Sequence, residues 1–337
     1  MSVGPDSKLS NSTFLLAGFP GLEQHYPWLS IPFSCIYATV FLGNCLVLHV
    51  IRTEPSLHQP MFYFLAMLAG TDLCMGLSTV HTVLGVLWGL SREVSLDACI
   101  AQTYFIHGLS CMESGVLLAM AFDRFTAICN PLRYASILTS ARIINTGVAI
   151  LGRGLLLITA PIVRLKFFNY CRPRVLSHSF CLHQDLLRLA CSDIRFNSVY
   201  ALALVICTLL LDSVLILVSY IRILRSVLAV ASREERLKSS QTCVAHLCAV
   251  LVFYVPVIGL TMVHRFGQHL SPVVHVLMGN VYVLFPPLMN PIIYSVKTQQ
   301  IRGRIRRWFP KTSPEYSRLM CFTGGKVVLA KEVTRDL

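Results

Sequence analysis

The sequence predicts an all-α membrane protein: a seven-transmembrane helix bundle with its N-terminus outside and a short amphipathic cytoplasmic helix after the seventh span. Three observations support this prediction: the composition, seven long apolar runs and the distribution of basic residues. Of the 337 residues, 55% are hydrophobic and 13% are charged, whereas about a quarter of the residues in a soluble domain are charged. A chain of this composition is solvated mainly by lipid.

Seven runs in the chain reach the length of about 20 apolar residues that a helix needs to cross a bilayer core. They are residues 28–51, 61–88, 98–122, 143–163, 198–221, 242–263 and 272–295. Several contain proline, which membrane helices tolerate because neighbouring helices satisfy the freed backbone groups. The predicted parts of the chain are an extracellular N-terminal segment (1–27), the bundle (28–296), and a cytoplasmic amphipathic helix and tail (297–337).

The basic residues orient the bundle, because Lys and Arg accumulate on the cytoplasmic side of membrane proteins. With the N-terminus outside, most of the 29 basic residues lie on inner segments. The sequon at Asn11 then lies on the outer side, where it can be glycosylated. The net charge of +13 is accordingly expected to face membrane lipid and cytosolic partners, not nucleic acid. These features predict a multi-pass protein of the plasma membrane.

The segment after the seventh span, KTQQIRGRIRRWFPK (297–311), predicts the amphipathic helix. Ile301, Ile305 and Trp308 fall on one face, and four arginines supply much of the remainder. A helix of this pattern lies in the membrane interface, with its basic side against anionic lipid.

Four of the 13 cysteines lie on the outer side: Cys99 at the start of the third span, and Cys171, Cys181 and Cys191 in the long outer loop. That compartment is oxidising and permits disulfides. Four cysteines allow three pairings, and their spacing does not choose among them. A Cys99–Cys181 bond would hold the loop over the mouth of the bundle, and Cys171–Cys191 would then close a ring within the loop.

Asp123 and Arg124 stand directly after the apolar run of the third span, near its cytoplasmic end. The helix from Cys99 to Arg124 is about 38 Å long, which is enough to cross the whole membrane. A charge at that boundary is costly unless it is paired, and it indicates function by default. The pair therefore predicts a switch that faces the cytosol, and an ordinary solvated arginine at a helix end is the alternative.

Several motifs occur in order along the predicted spans: PMFYFLAMLAGTDL (60–73), MAFDRFTAICNPLRY (120–134) and PPLMNPIIYSVKTQQIR (286–302). Together they resemble the rhodopsin-like G-protein-coupled receptors, and among these the odorant (olfactory) receptors. The stretch LAGFPGLEQHYPWLSIPF (16–33) and the long outer loop look like those of class I, fish-like odorant receptors. The HRFG sequence (264–267) resembles a subfamily whose members tend to recognise carboxylic acids.

The resemblance implies a receptor that couples a ligand to a stimulatory heterotrimeric G protein, the olfactory Gα (Gαolf) or its relative Gαs, and so raises cAMP. It places the switch at Asp123, Arg124, Tyr220, Asn290, Pro291 and Tyr294. In the resting state, Arg124 is expected to pair with Asp123 and with polar groups on the fifth and sixth helices. The sequence contains no hydrolase, metalloprotease or phosphate-binding motif, so no enzymatic activity is expected.

A ligand pocket is predicted in the outer third of the bundle, below the long loop. His107, Cys111 and Ser114 share one face of the third helix, and Thr261 and Arg265 share a face of the sixth. With two residues of the loop added, the predicted ligand contacts are His107, Cys111, His183, Gln184, Thr261 and Arg265. Because Arg presents a fork of donors to a carboxylate, the predicted ligand is a small organic acid. The alternative is a neutral odorant, with Arg265 directed into water.

Asp72 and Glu113 are predicted at the same depth, about 17 Å from the cytoplasmic side. Two carboxylates in a bundle core cannot both stay charged without a counter-ion, so they share a proton or hold a cation such as Na⁺. The resemblance places Asp72 at the sodium position of the family, and no other cofactor is expected. Two alternatives remain open: one neutral carboxylic acid bonded to Asn44 or Asn290, and an ion-coupled carrier that uses both carboxylates with Arg153.

Overall fold

The computed structural model describes residues 13–229, 233–267 and 269–308. Seven of its helices are long and apolar enough to cross a membrane, which confirms the predicted fold class. They are α1 (Tyr26–Thr53), α2 (Pro60–Leu87), α3 (Leu96–Cys129), α4 (Ser140–Leu165), α5 (Arg195–Ala229), α6 (Arg233–Phe266) and α7 (Pro272–Lys297). An eighth helix, α8 (Gln299–Trp308), follows. Asn11 and the tail after residue 308 lie outside the described residues, so glycosylation of Asn11 stays a prediction.

The helices extend beyond the apolar runs, because polar residues at their ends still form helix outside the lipid. The clearest case is α3, which continues through the Asp123–Arg124 pair to Cys129. Two of the helix starts are set by side-chain caps. The Ser95 hydroxyl accepts from the third backbone N–H of α3, and the Thr139 hydroxyl does the same at the start of α4.

Neighbouring helices close two of the gaps that prolines leave in the bundle. A proline inside a helix has no N–H to give to the carbonyl four residues earlier. The carbonyl four residues before Pro291 accepts from the Asn44 side-chain amide of α1 at 3.0 Å. The carbonyl four residues before Pro161 accepts from the Tyr200 hydroxyl of α5 at 3.0 Å. These bonds join α1 to α7 and α4 to α5 where the backbone is weakest.

A small three-stranded sheet covers part of the outer side and was not predicted. Strand β1 (Thr13–Leu16) lies between β2 (Glu93–Ser95), which is antiparallel to it, and β3 (Val175–Leu176), which is parallel. The side chains of β1 alternate, with Phe14 and Leu16 buried. These strands add to the predicted helical bundle and leave its seven spans unchanged. The strands that pair with β1 are far from it in sequence, so no local sequence pattern predicts them.

Two disulfides shape the outer loop between α4 and α5. The structure contains the Cys99–Cys181 and Cys171–Cys191 bonds. The first ties the loop to the outer end of α3, and the second closes a ring inside the loop. A short helix in this loop, His183–Leu189, follows the first bond and is called the loop helix below.

Helix α8 packs against the inner end of the bundle. Ile301 is fully buried in the inner hydrophobic cluster, and Ile305 packs against the same cluster. Arg304 pairs with Glu54, at the end of α1, at 3.0 Å. The apolar face that the sequence assigned to lipid is therefore used in part for contact with the protein. The side chain of Trp308 lies outside the described part of the chain.

The buried apolar residues form an outer cluster and an inner cluster. Polar residues interrupt the apolar packing between these clusters on several helices. On α2, α3 and α7 the interrupting residues are Asp72, Glu113 and Asn290, all of them buried. On α5 it is Asp212, which is also buried. This polar layer lies between the outer, ligand-accessible half of the bundle and its cytoplasmic half.

Candidate functional site

A cavity of about 150 Å³ lies in the outer half of the bundle, and we call it the outer cavity. Its walls come from α3 to α7 and from the outer loop. Much of the lining is apolar and comes from α4, α5 and α6, including Ile162, Val205 and Leu260. An apolar cavity with a few polar groups is the usual form of a small-molecule site.

All six residues predicted to contact a ligand lie on the wall of the outer cavity: His107, Cys111, His183, Gln184, Thr261 and Arg265. The two faces inferred from helical spacing therefore point into one space. The loop residues reach it because the disulfide to α3 holds the loop down, and because the Cys181 N–H donates to Gln102 Oε1 at 2.7 Å. That these six residues contact a ligand stays a prediction.

Arg265 is the cationic group of the outer cavity. Its Nη2 donates to the Ser198 carbonyl of α5 at 3.1 Å, which fixes the guanidinium against α5. In the described part of the chain, no carboxylate pairs with it. A half-buried guanidinium without an acidic partner keeps its charge and its remaining donors for an anion.

His183 and His107 form a polar corner of the outer cavity, with ring centroids 6.4 Å apart. Burial lowers the pKa of His183 to about 4, so its imidazole is neutral at physiological pH. A neutral Nε2 can accept from the Asn197 amide, which lies 3.3 Å away. His107 also lies 6.4 Å from the ring of Tyr282 on α7. These residues present hydrogen-bonding groups beside the apolar wall.

A bidentate ion pair lies at the base of the outer cavity. Arg153 Nη1 and Nη2 lie 2.9 Å and 2.7 Å from the two carboxylate oxygens of Asp212. The Ser114 hydroxyl donates to Asp212 Oδ2 at 2.5 Å and lies 3.0 Å from the Tyr254 hydroxyl. The network joins α3, α4, α5 and α6, and Ser114 also lines the cavity.

Sequence reasoning noted Arg153 but missed its partner Asp212, and it also missed Tyr254, which contacts Ser114. The available signal was a single acid and a single base, each isolated in an apolar run, on consecutive long spans. Opposite charges within a membrane usually pair with each other. Ser114 lines the cavity and is one hydrogen bond away from Tyr254 of α6.

Asp72 and Glu113 are brought together by a single amide. Asn290 Nδ2 lies 3.1 Å from Asp72 Oδ2 and 3.2 Å from Glu113 Oε1. Of the two asparagines considered from the sequence, it is thus Asn290 that contacts the carboxylates, whereas Asn44 bonds the α7 backbone. No group of three or more His, Cys, Asp or Glu side chains suited to a metal is found among the described residues.

Asp123 and Arg124, near the cytoplasmic end of α3, form an ion pair in this structure. Arg124 Nε donates to Asp123 Oδ2 at 2.9 Å, and the Tyr134 hydroxyl donates to Asp123 Oδ1 at 2.8 Å. Asp123 is fully buried, while 17% of the Arg124 side chain is exposed. Tyr134 belongs to a one-turn helix in the second inner loop, Tyr134–Ile137. This loop therefore shares the carboxylate with Arg124.

The expected partners of Arg124 on α5 and α6 are not found in the part of the chain that the structure describes. Tyr220 of α5 instead lies 2.6 Å from His246 Nδ1 of α6, and His246 Nε2 lies 3.0 Å from the Leu117 carbonyl of α3. Tyr294 is fully buried on α7. The three helices α3, α5 and α6 are thus joined by His246, which sequence reasoning did not single out.

A buried His–Asp pair closes the outer loop over α7. His178 Nδ1 lies 2.6 Å from Asp185 Oδ2, and its Nε2 lies 3.0 Å from the His275 carbonyl oxygen. Both ring nitrogens face acceptors, which only the imidazolium satisfies with two N–H donors. Burial opposes that charge, but Asp185 and these hydrogen bonds raise the pKa of His178 overall. Burial likewise opposes ionisation of Asp185, but His178 keeps its pKa below the usual range.

The stability of the outer loop is expected to depend on pH through this pair. Since the pKa of His178 is raised by folding, its contribution is complete below about pH 6.5, the unfolded value, and is lost as pH rises through the folded value. The lowered pKa of Asp185 keeps the carboxylate charged down to lower pH. The melting temperature of purified protein should therefore fall as pH rises above about 6.5.

The His178→Phe variant should have a lower melting temperature and lose most of that alkaline decline. His269→Gln, at an exposed outer residue, is the matched control and should keep the wild-type profile. A His178→Phe profile parallel to that of the wild type would contradict the assignment.

Comparison with known proteins gives consistent matches over most of the chain. The family model described as olfactory receptor matches residues 33–312. The human (Homo sapiens) Olfactory receptor 51V1 is 75% identical over 308 residues, which cover 91% of this chain and 96% of that protein. The human Olfactory receptor 51B5 is 54% identical over 300 residues, which cover 89% and 96%. The crystal structure of squid rhodopsin covers 86% of both chains with a TM-score of 0.69 at 17% identity, and so shows the fold alone.

Proposed function

The chain belongs to the olfactory receptor family, and from that premise we propose that it binds a small carboxylic acid in the outer cavity and activates a stimulatory G protein. As a member of this family, it is an odorant receptor, a multi-pass protein of the plasma membrane that works with a G protein and is not an enzyme. The ion-coupled carrier considered from the sequence is set aside on this ground.

The proposal of an acid ligand rests on one observation: Arg265 lines an otherwise largely apolar cavity without an acidic partner among the described residues. A carboxylate with a short alkyl chain matches both properties. Its oxygens pair with the guanidinium fork, and its chain packs on the aliphatic walls of α4 and α5. The cavity volume of about 150 Å³ favours a small ligand.

Signalling follows from a population shift, since a ligand moves an equilibrium only by binding one state more tightly. The outer cavity connects to α6 through the Ser114–Tyr254 bond, and α6 connects to α5 through the Tyr220–His246 bond. We propose that the ligand favours a state in which α6 moves outward and Arg124 leaves Asp123. Arg124 then faces the α subunit of the stimulatory G protein, the olfactory Gα or Gαs.

Replacing Arg265 with alanine is expected to raise the EC50 of carboxylic acids by about 10- to 100-fold. A charge-assisted hydrogen bond contributes about 1.5–3 kcal/mol, and 1.4 kcal/mol is about tenfold in affinity. A cAMP reporter with acids of graded chain length and their methyl esters measures this effect. Arg265→Lys should be intermediate, because it keeps the charge without the fork.

Arg195→Ala, at an exposed arginine on the outer end of α5, is the matched control and should respond as the wild type does. The wild-type response should disappear in cells that lack the stimulatory Gα subunits. An Arg265→Ala receptor that keeps the full acid response would favour the neutral-odorant alternative, in which Arg265 is unused.

For the two core carboxylates we propose a bound Na⁺. Asp72 and Glu113 have no cationic side chain paired with them among the described residues, and Asn290 Oδ1 is a buried acceptor without a partner. The oxygens of two such carboxylates suit a hard cation, although in this structure Asn290 turns Nδ2 and not Oδ1 towards them. Replacing Na⁺ with choline should lower the melting temperature of the wild type and leave Asp72→Asn unchanged. Equal melting temperatures of the wild type in both salts would favour the shared proton.

A further inference from the structure

Two histidines of the outer cavity differ from the other histidines of the outer half. Among the described residues, the buried imidazole nitrogens without a hydrogen-bond partner are Nε2 of His107 and Nε2 of His264. Both side chains line the outer cavity. The neighbouring His178, His183 and His275 each have a partner. The two unpaired nitrogens therefore belong to side chains at the wall of the outer cavity.

The imidazole of His264 and the guanidinium of Arg265 point to different neighbours, although they are adjacent on α6. Arg265 reaches α5, where it bonds the Ser198 carbonyl. The ring of His264 lies 5.7 Å from that of His178 in the outer loop and 6.1 Å from that of His275 on α7. When one group of a ligand binds Arg265, the imidazole of His264 can therefore contact a different part of the same ligand.

His264 is expected to act as a neutral hydrogen-bonding group. The imidazolium of His178 lies 5.7 Å away, Arg265 is next in sequence, and Arg188 of the loop helix adds a further positive charge. Asp185 is the acidic group on this side, and it is already paired with His178. Another positive charge is disfavoured among these cations, so no second anionic group is expected here.

We infer that the ligand carries, besides its carboxylate, a hydroxyl group that pairs with the imidazoles of His107 and His264. A buried polar atom without a partner is costly, and native proteins leave few of them. A hydroxyl both donates and accepts, and a neutral imidazole nitrogen does either according to its tautomer. The assignment of the carboxylate to Arg265 rests on the proposed function. The predicted ligand class is short hydroxy acids, in preference to unsubstituted acids of the same length.

The test compares hexanoic acid with its monohydroxy isomers, substituted from the second to the sixth carbon, in the cAMP reporter. At least one isomer should have an EC50 about tenfold lower than hexanoic acid, the ratio expected for one hydrogen bond. In His107→Phe and in His264→Phe, this ratio should fall towards one. The Gln variants at the same positions keep a polar group and should retain most of the preference.

Surface display of an N-terminal epitope is measured for every variant, and a position whose Phe variant is not displayed is judged from its Gln variant against the wild type. His269→Phe, at an exposed outer residue, is the control and should keep the wild-type ratio. When acids activate the receptor, the inference is overturned if no isomer exceeds hexanoic acid in potency, or if the ratio survives in both Phe variants.

Neutral compounds with one and with two hydroxyl groups separate this inference from the proposed function. Hexan-1-ol is compared with the hexanediols in the wild type and in both Phe variants. If acids fail to activate while diols exceed hexan-1-ol and lose that advantage in the Phe variants, the acid proposal is wrong and the role of the histidines stands. If acids act through Arg265, but an added hydroxyl group makes neither the acids nor the neutral compounds more potent, the acid proposal stands and the role of the histidines is wrong.

Discussion

Asp212→Leu is expected to remove most of the receptor from the cell surface. The change leaves Arg153 without its bidentate partner and takes from Ser114 the acceptor to which it donates. Breaking a buried ion pair by removing one partner costs about 3–5 kcal/mol, which is a large share of the stability of a folded protein. Because 28% of the Arg153 side chain is exposed, the lower end of that range applies. Flow cytometry of an N-terminal epitope measures the effect.

The double variant Arg153→Leu/Asp212→Leu is the decisive control for this prediction. Replacing both partners of a buried pair with apolar side chains is often neutral or stabilising. The double variant should therefore be displayed better than Asp212→Leu alone, although its coupling between ligand and α6 should be weakened. Normal display of the single variant would show that the pair contributes little to folding.

The Cys181→Ser variant is expected to show the second large loss. The Cys99–Cys181 bond joins residues separated by 82 positions and holds the loop that supplies His183 and Gln184 to the outer cavity. Removing a native disulfide costs about 2–5 kcal/mol, and more for a longer closed loop. Surface display should fall strongly, and the receptor that remains should lose its ligand response.

The inner bond of the loop provides the comparison. Cys171→Ser opens a bond between residues separated by 20 positions, so in the loop-entropy model its cost is about 1 kcal/mol smaller. It also lies away from the residues that line the outer cavity. The expected result is reduced display with a normal EC50. An equal loss of the ligand response in both variants would contradict the role given to Cys181.

Much of the outer cavity could be predicted from the sequence, because helical periodicity is a local property. The i, i+4 spacing of His107 and Cys111 puts both on one face of α3, and the same holds for Thr261 and Arg265 on α6. The basic residues orient the helices, and the rise per residue then gives the depth of each side chain. His264 lies three residues after Thr261 and so falls on the same face, but the charge of its neighbour Arg265 drew the interpretation to that residue and His264 was not singled out.

The sequence by itself determined the seven spans, their orientation and the depth of each polar residue, because apolar length and charge act along a single helix. Only the tertiary structure decided which residues meet side by side. It paired Arg153 with Asp212, placed Asn290 between two carboxylates, and inserted β1 between two distant strands. Such partners depend on how helices rotate and pack against one another. Depth is set by each helix and the membrane, but lateral contact is a property of the whole bundle.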